Sequence, residues 1–245
     1  MRRYSFIAIT LAITALLSAT AAAAQTGAVI SVNGIYQGGT EAVSNTVSFT
    51  ANAETATFTS NFPVKSGPGF DAGLRVGVRG AIGVAIGITR FTATGNADVT
   101  AKIPHPFFFN QPRSIAGTAN LSREETTTRL AIVFSSAANK RVQVSAFVGP
   151  AFFSVKQTLV DAVSYTDSYP YDTATFGQAT TKQVTKSKTG VTAGAEVSYF
   201  FAKHVGIGLT AAVAKATIPI TAVDGSSVSL SAGGTQIGAG LRFRF

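Results

Sequence analysis

Hydrophobic and polar residues alternate with a period of two in several segments of the chain. In residues 70–79 every even position is apolar, whereas the odd positions hold Asp71, Arg75 and other charged or glycine residues. The same alternation runs through residues 191–199 and 237–245. Because successive side chains of a β-strand point to opposite faces, this pattern predicts strands that have one apolar face.

The alternation divides the chain into eight predicted strands joined by connections of unequal length. The strands are predicted at 28–37, 67–78, 82–94, 123–134, 142–156, 186–200, 205–216 and 235–245. Short connections are predicted at 79–81, 135–141 and 201–204, and long ones at 38–66, 95–122, 160–185 and 217–234. An even strand number with alternating connection lengths is typical of outer-membrane barrels, whose long loops face outside. We therefore predict an all-β fold, an eight-stranded antiparallel transmembrane up-and-down β-barrel.

The second face of the predicted strands combines glycines with isolated full charges. Small residues and ions suit the interior of a narrow barrel, where side chains and a few waters fill the space. Each inward charge needs a partner, because an unpaired buried ion is costly. The set is either a plug of ion pairs or the lining of a narrow ion-conducting path. The predicted inward charges are Asp71, Arg75, Arg79, Glu125, Arg129, Glu196, Arg242 and Arg244.

The first 24 residues have the features of an export signal. Arg2 and Arg3 precede an apolar stretch from residue 6 to residue 17, and three alanines at 22–24 provide a cleavage site. We expect the mature chain to begin at Gln25 and to form one barrel domain over residues 25–245. The expected location is the outer membrane of a bacterium of the Gram-negative type.

Composition narrows the chemistry available to this chain. The 245 residues contain no cysteine, which excludes disulfides, thiolate metal sites and a cysteine nucleophile. Lys and Arg number 20 against 11 Asp and Glu, but the basic residues are scattered and form no module that binds nucleic acid. Lys182, Lys186 and Lys188 flank one long loop, where they would meet anionic lipopolysaccharide. The two histidines are predicted on opposite sides of the membrane, so we expect neither a metal nor another cofactor.

The most unusual segment is residues 103–113, in which three prolines surround three consecutive phenylalanines. Three exposed aromatic rings are costly in water and often mark interaction sites. Such a loop could cap the barrel, dip onto the membrane or bind a partner, but the interpretation that we favour is a self-packed loop with its rings folded beneath it. A further alternative makes His105 a general base of a lipid-modifying enzyme. The loop candidates are His105, Phe107, Phe108 and Phe109.

The chain resembles a known family in its last 60 residues. Residues 241–245 alternate and end on Phe245, which resembles the C-terminal signature of bacterial outer-membrane β-barrels. Residues 196–208 are similar to the penultimate hairpin of small OmpA/OmpX-type barrels. The resemblance implies that Phe243 and Phe245 form the signal recognised by the barrel assembly machinery. It also implies a transmembrane barrel, here without a peptidoglycan-binding domain.

These observations lead to a functional hypothesis with two alternatives. We expect a monomeric, non-enzymatic outer-membrane barrel that contacts outer-membrane lipids, possesses long loops and has a structural or surface-interaction role. The first alternative is a soluble secreted or periplasmic β-barrel or sandwich that binds a ligand. The second is an outer-membrane enzyme that modifies lipids.

Overall fold

A computed structural model describes residues 27–136, 141–221 and 227–245, and these residues form ten strands that pair antiparallel throughout. The predicted export signal at residues 1–24 lies outside the described residues. No helix in the described part of the chain is long and apolar enough to cross a membrane. The strands are β1 (Ala28–Gln37), β2 (Val43–Ala51), β3 (Glu54–Phe62), β4 (Gly67–Arg79), β5 (Ile82–Ile103), β6 (Arg113–Ser135), β7 (Val142–Asp167), β8 (Ala174–Phe200), β9 (Val205–Thr221) and β10 (Ser227–Arg244).

Eight of these strands close into a ring, which confirms the predicted fold class. The ring runs β1, β4, β5, β6, β7, β8, β9, β10 and returns to β1. The seam pairs Val29 with Arg244 and continues to Gln37 opposite Gln236. The predicted tight turn after Arg79 is present, as is the one between Phe200 and Val205. Closure matters because it leaves no unpaired edge around this part of the ring.

Two strands lie outside the ring. β2 and β3 form a hairpin inside the connection that was predicted as a loop at 38–66. The hairpin joins the far half of β5, where Thr57–Asn61 pairs with Asp98–Lys102. Its residues are mainly threonine, serine and asparagine, so their alternation was too weak to predict strands. The hairpin extends the wall of the molecule above β1 and β4.

The strands are much longer than predicted at the end opposite the short turns. β5 continues to Ile103 and β6 begins at Arg113, so the loop predicted at 95–122 was wrong. The loop predicted at 160–185 was wrong for the same reason, because β7 and β8 extend to Asp167 and from Ala174. Residues 227–234 belong to β10, although they were predicted as part of the loop at 217–234. In residues 92–101, for example, small apolar residues such as alanine alternate with threonine, and this weak contrast does not distinguish a strand from a loop.

The long strands change polarity along their length, and β5 shows the change clearly. From Ile82 to Ile88 its outward residues are apolar and exposed, whereas its inward residues are small or polar. From Arg90 onward the outward residues are polar, and the inward residues, beginning with Phe91, are apolar and buried. We call the ring nearest the short turns the lower barrel. The part beyond Arg90 on β5, with its neighbours and the β2–β3 hairpin, is the head.

The head encloses a continuous apolar core. Phe58 and Phe62 of the hairpin, Phe91 of β5 and Phe153 of β7 are almost fully buried in it. Ile218 of β9 enters the same core from the opposite wall. Asn45 on β2 donates a hydrogen bond to the carbonyl of Val160 on β7 at 3.3 Å. The core therefore fills the space above the lower barrel and joins its walls.

One side of the head is open along a strand edge. β8 pairs with β9 only over Val191–Phe200, opposite Lys215–Gly206. Above that stretch, within the described strands, β8 pairs only with β7, and β9 pairs only with β10. The two strands therefore diverge at the top of the lower barrel and leave residues 174–190 of β8 as a free edge.

The seam between β1 and β10 provides a test of the ring. A Cβ added at Gly240 would lie 1.8 Å from the carbonyl oxygen of Val32, whereas one at Gly34 would meet nothing within 4 Å. We expect Gly240→Ala to lower the free energy of unfolding by about 1–3 kcal/mol, as overpacking does. Gly34→Ala, on the facing strand, serves as the matched control and should change it by less than about 0.5 kcal/mol. Urea unfolding followed by circular dichroism measures both; equal stability would contradict the seam geometry.

Candidate functional site

Asp71 lies at the centre of the first ion pair in the lumen of the lower barrel. Arg129 of β6 reaches it with both terminal nitrogens, of which Nη2 donates to Oδ1 at 3.2 Å. Thr89 donates to Oδ2 of the same carboxylate at 2.9 Å. Room for the guanidinium comes from Gly87, where a Cβ would stand 2.6 Å from Arg129 Cζ. The inward glycine and the inward arginine are thus cross-strand partners.

Glu196 of β8 forms the centre of a second group of charges. Its Oε1 lies 3.1 Å from Nε of Arg242 and 3.9 Å from Nη1 of Arg75. Ser198 donates to the same oxygen at 2.8 Å. Arg75 also donates to Ser145 at 2.6 Å, which ties β4 to β7 across the lumen. Two guanidinium groups therefore share one carboxylate.

Asn33 of β1 joins the two groups into one network. Its Nδ2 donates to Asp71 at 2.8 Å, and its Oδ1 accepts a hydrogen bond from Arg242 at 2.6 Å. A neutral amide can do this because it has a donor and an acceptor on the same side chain. Sequence reasoning missed Asn33, since nothing distinguishes it from other polar residues at inward positions. The network includes three guanidinium groups and two carboxylates.

A separate ion pair lies inside the ring where the lower barrel meets the head. Arg123, which is 0% exposed, contacts Glu125 with Nε donating at 2.6 Å. Glu125 also accepts hydrogen bonds from the backbone N–H of Gly233 at 3.0 Å and from Gln37 at 3.3 Å. Glu125 was among the predicted inward charges, whereas Arg123 was not. The alternation could have identified Arg123, because the inward residues of β6 have odd numbers and Arg123 is one of them.

The last two predicted inward charges lie at the short-turn end of the ring. Arg244 stacks on the buried ring of Phe200 at 4.3 Å from the ring centre and donates to the carbonyl of Lys203. The prediction of an inward side chain is wrong for Arg79, which is exposed. Its strand has a register irregularity between Gly77 and Arg79, so Arg79 pairs with the outward residue Ile82. The irregularity shifts the alternation by one residue.

Little space remains in the lumen. A cavity of about 40 Å³ lies among the charges, lined by residues that include Arg75, Arg129, Glu196 and Phe147. This volume accommodates a few water molecules at most. Above it the apolar core of the head fills the ring. Within the described residues, the arrangement favours a plug of ion pairs over a conducting path.

The loop at the top of β5 and β6 presents its aromatic rings to solvent. Phe107, Phe108 and Phe109 are 67%, 55% and 70% exposed, so the prediction of a self-packed loop was wrong. His105 is buried within the loop, and its Nδ1 accepts hydrogen bonds from the backbone N–H groups of Phe107 and Phe108 at 3.1 and 3.2 Å. His105 therefore shapes the turn that displays the rings.

The β7–β8 loop completes this aromatic tip. The rings of Phe107 and Tyr171 lie 5.2 Å apart, edge to face, and Tyr169 follows at 6.1 Å from Tyr171. Arg113 holds the two loops together, because it contacts Asp167 and donates to the carbonyl of Pro104 at 3.0 Å. The tip is consequently a built surface with a buried arginine beneath it.

The histidines have structural contacts at opposite ends of the molecule. His105 Nε2 lies 4.0 Å from Asp172 in the tip, whereas His204 contacts the carbonyl of Arg244 at 2.8 Å beside the short turn. No group of three or more metal-ligating side chains occurs among the described residues. Phe245 is exposed at the end of β10, and Phe243 pairs with Ile30 on the outward face. Their role in assembly stays a prediction.

Three solved structures resemble the chain in shape. Outer membrane protein OprG from Pseudomonas aeruginosa has 9% identity and a TM-score of 0.46, over 89% of this chain and 95% of that one. Neisserial surface protein A has 10% identity and a TM-score of 0.43, over 89% and 97%. Ail of Yersinia pestis, solved with the heparin analogue sucrose octasulfate, has 14% identity and a TM-score of 0.40, over 90% and 99%.

No family model and no curated protein matches the sequence. The closed ring is established by the strand pairing within this chain. A closed ring of eight antiparallel strands, with an apolar outer band and a polar, filled lumen, is the architecture of small bacterial outer-membrane barrels.

Two glutamates with similar neighbours test the lumen network. Glu196→Ala leaves Arg242 and Arg75 without their shared carboxylate in the lumen, and we expect a loss of about 3–5 kcal/mol in the free energy of unfolding. Glu124 also contacts two cations, Arg90 and Lys156, but lies on the outer surface. Glu124→Ala is the control and should cost about 0–1 kcal/mol. Equal losses in urea unfolding would contradict the network.

Proposed function

We propose that this chain is a non-enzymatic outer-membrane barrel that crosses the bilayer with its lower barrel and presents a rigid head to the outside. The head carries the aromatic tip toward a surface partner, and the lumen serves as a structural plug. The molecule acts as a monomer in contact with outer-membrane lipids. The barrel assembly machinery inserts it, using Phe243 and Phe245 as the signal.

The reversal of polarity along the strands is the observation that carries this proposal. On β5 the change falls between Ile88 and Arg90, and on β7 it falls between the exposed Phe152 and Lys156. On β9 it falls between Val213 and Lys215. Neighbouring strands thus change from an apolar to a polar exterior at corresponding places. A boundary between lipid and water produces this change, since the outer surface must match the solvent on each side.

The length of the apolar band agrees with a bilayer. On β7 the band extends from Val142 to Phe152, within the 9–11 residues that a tilted strand needs to cross the hydrocarbon region. The short turns bound the band on one side and the head bounds it on the other. In bacterial barrels the short turns are periplasmic and the longer connections face outward, so we place the head outside the cell.

The soluble alternative is less consistent with this surface. A water-soluble barrel would leave Ile86, Ile88, Leu130, Ile132 and Phe134 in water on neighbouring strands. Contiguous apolar surfaces of this kind mark contact with a membrane or a partner. The polar, ion-paired interior of the same region is also the reverse of a soluble core.

The enzyme alternative depends on His105, whose geometry favours a structural role. Its Nδ1 is engaged by two backbone N–H groups, and its ring lies 4.8 Å from that of Phe108. A general base needs a nitrogen within reach of the proton that it abstracts. The exposed rings around His105 suit binding better, because aromatic residues dominate the energetics of protein interfaces.

Single cysteines on β5 test the membrane position, because the natural chain has none. We expect an environment-sensitive dye at Ile88→Cys to report a lipid environment and to be quenched by nitroxide lipids in vesicles. The same dye at Thr94→Cys, on the same face of the same strand, should report water. Fluorescence emission and quenching measure the difference.

The same two cysteine positions also define the results that would contradict the proposal. Equal water exposure of the dye at both positions, in protein that stays soluble without detergent, would contradict the proposal and support the soluble alternative. A lipid signal at both positions would place the head inside the bilayer and would equally overturn it.

The filled lumen makes a separate prediction about transport. We expect the purified barrel to give no stepwise conductance in a planar bilayer, because ion pairs and the head core fill the ring. A porin inserted under the same conditions provides the positive control. Reproducible single-channel steps from the purified chain would show that the lumen conducts.

A further inference from the structure

The aromatic tip is assembled from the ends of three hairpins. Glu54, beside the turn between β2 and β3, accepts a hydrogen bond from the backbone N–H of Asn110 in the β5–β6 loop at 3.0 Å. Arg113, at the start of β6, donates to the carbonyl of Tyr171 in the β7–β8 loop at 3.2 Å. The rings are therefore held on a connected support, so they lose little conformational entropy when they bind.

The loop between β5 and β6 has most of its backbone donors removed or paired. Of its nine residues, 104–112, three are prolines, which have no N–H group. The N–H groups of Phe107 and Phe108 donate to His105. The N–H group of Asn110 is also paired, as described above. Because an unpaired N–H is costly in a medium without water, this loop leaves water more easily than a loop with free donors.

The side chains at the end of this loop are apolar rather than charged. Residues 103–112 contain no Asp, Glu, Lys or Arg. Phe107 and Phe109 are 67% and 70% exposed, and Tyr169 of the neighbouring loop is 88% exposed. A protein interface surrounds its aromatic anchors with a polar rim, whereas the headgroup region of a bilayer accommodates aromatic rings directly. The composition of the loop therefore favours contact with lipid.

The membrane that the lower barrel crosses is out of reach of the tip. On β5 the apolar exterior ends before Arg90, and the strand continues to Ile103, 13 residues further on. This length is about 43 Å at about 3.3 Å per residue. A strand tilted by about 35–45° rises by about 30–35 Å over that length. A loop that dips onto its own membrane is inconsistent with this height.

We propose that the aromatic tip inserts into the headgroup region of a second lipid bilayer that faces the cell. Phe107, Phe108 and Phe109 enter this bilayer, and Tyr169 lies beside them. A zwitterionic bilayer is the matching surface, because residues 103–112 provide no cation for anionic lipids. This inference rests on the proposed function, in which the head lies outside the cell, and it names the partner of the tip.

Quenching of a single tryptophan by brominated lipids tests the inference, because the natural chain has no tryptophan. Phe108→Trp is reconstituted in phosphatidylcholine vesicles. Brominated phosphatidylcholine is placed either in these vesicles or in a second population of vesicles that is added afterwards. Ile88→Trp, on the lower barrel, is the reference for the bilayer that holds the protein. Circular dichroism verifies that each variant keeps its strand content.

We expect Phe108→Trp to be quenched by bromine in the added vesicles and not by bromine in its own vesicles. Ile88→Trp should give the opposite result. Quenching of Phe108→Trp should persist in about 0.5 M sodium chloride, which screens exposed charges, because the insertion of rings is hydrophobic.

Removal of the two neighbouring rings measures their contribution. In the Phe108→Trp background, we expect F107S/F109S to raise the lipid concentration for half-maximal quenching by at least about 25-fold, since each ring moved out of water contributes about fivefold. The control is F201S, which removes an exposed phenylalanine at the short-turn end. It should change that concentration by less than about twofold.

Absence of quenching by the added vesicles would overturn the proposal and would assign the exposed rings to a protein partner. Quenching of Phe108→Trp from its own vesicles, loss of quenching at high salt, or equal effects of F107S/F109S and F201S would overturn it as well. The reference position separates this inference from the proposed function. If Ile88→Trp is quenched by its own bilayer and Phe108→Trp is quenched by neither bilayer, this inference alone is rejected.

Discussion

The requirement to pair charges inside a narrow closed ring organises this molecule. Each strand of the lower barrel places every second side chain in the lumen, where an unpaired ion is far more costly than a paired one. Asp71, Glu196 and their three arginines come from β4, β6, β8 and β10, and Asn33 of β1 joins them. A shift of one residue in any of these strands would turn a charge toward the outside. The network therefore sets the register of the wall.

The lower barrel was predictable because its two faces differ strongly. Isoleucine, valine and phenylalanine alternate there with glycine and full charges, so strand positions and the inward direction of Arg75 and Glu196 followed from spacing. Arg79 departed from this rule because a register irregularity before the turn shifts the alternation. The linking role of Asn33 was not predictable, since it depends on which side chains the closed ring brings into contact.

The head was mistaken for loops for a physical reason. Its inward residues are often alanine and its outward residues threonine, as in residues 92–101, and this contrast is small. The pairing that makes such segments strands is non-local: β3 lies against β5, and the walls meet through Phe58 and Phe153. A long strand such as β5 also reverses its polarity between the lower barrel and the head. Water drives the burial of the head core, whereas in the lower barrel the exterior is apolar and the interior is polar.

The free edge of β8 has a consequence for the motion of the head. In an antiparallel strand alternate residues direct their N–H and C=O groups to opposite neighbours. Between Thr180 and Gly190, where only β7 pairs with β8, every second amide therefore faces the gap rather than a partner strand. Hydrogen exchange along this stretch should show a fast and slow amide in turn, whereas the paired residues below Val191 exchange slowly throughout. The hydrogen-bonded wall of the head is thus interrupted between β8 and β9, and it is interrupted again between β6 and β7 beyond the pair formed by Arg123 and Gln157.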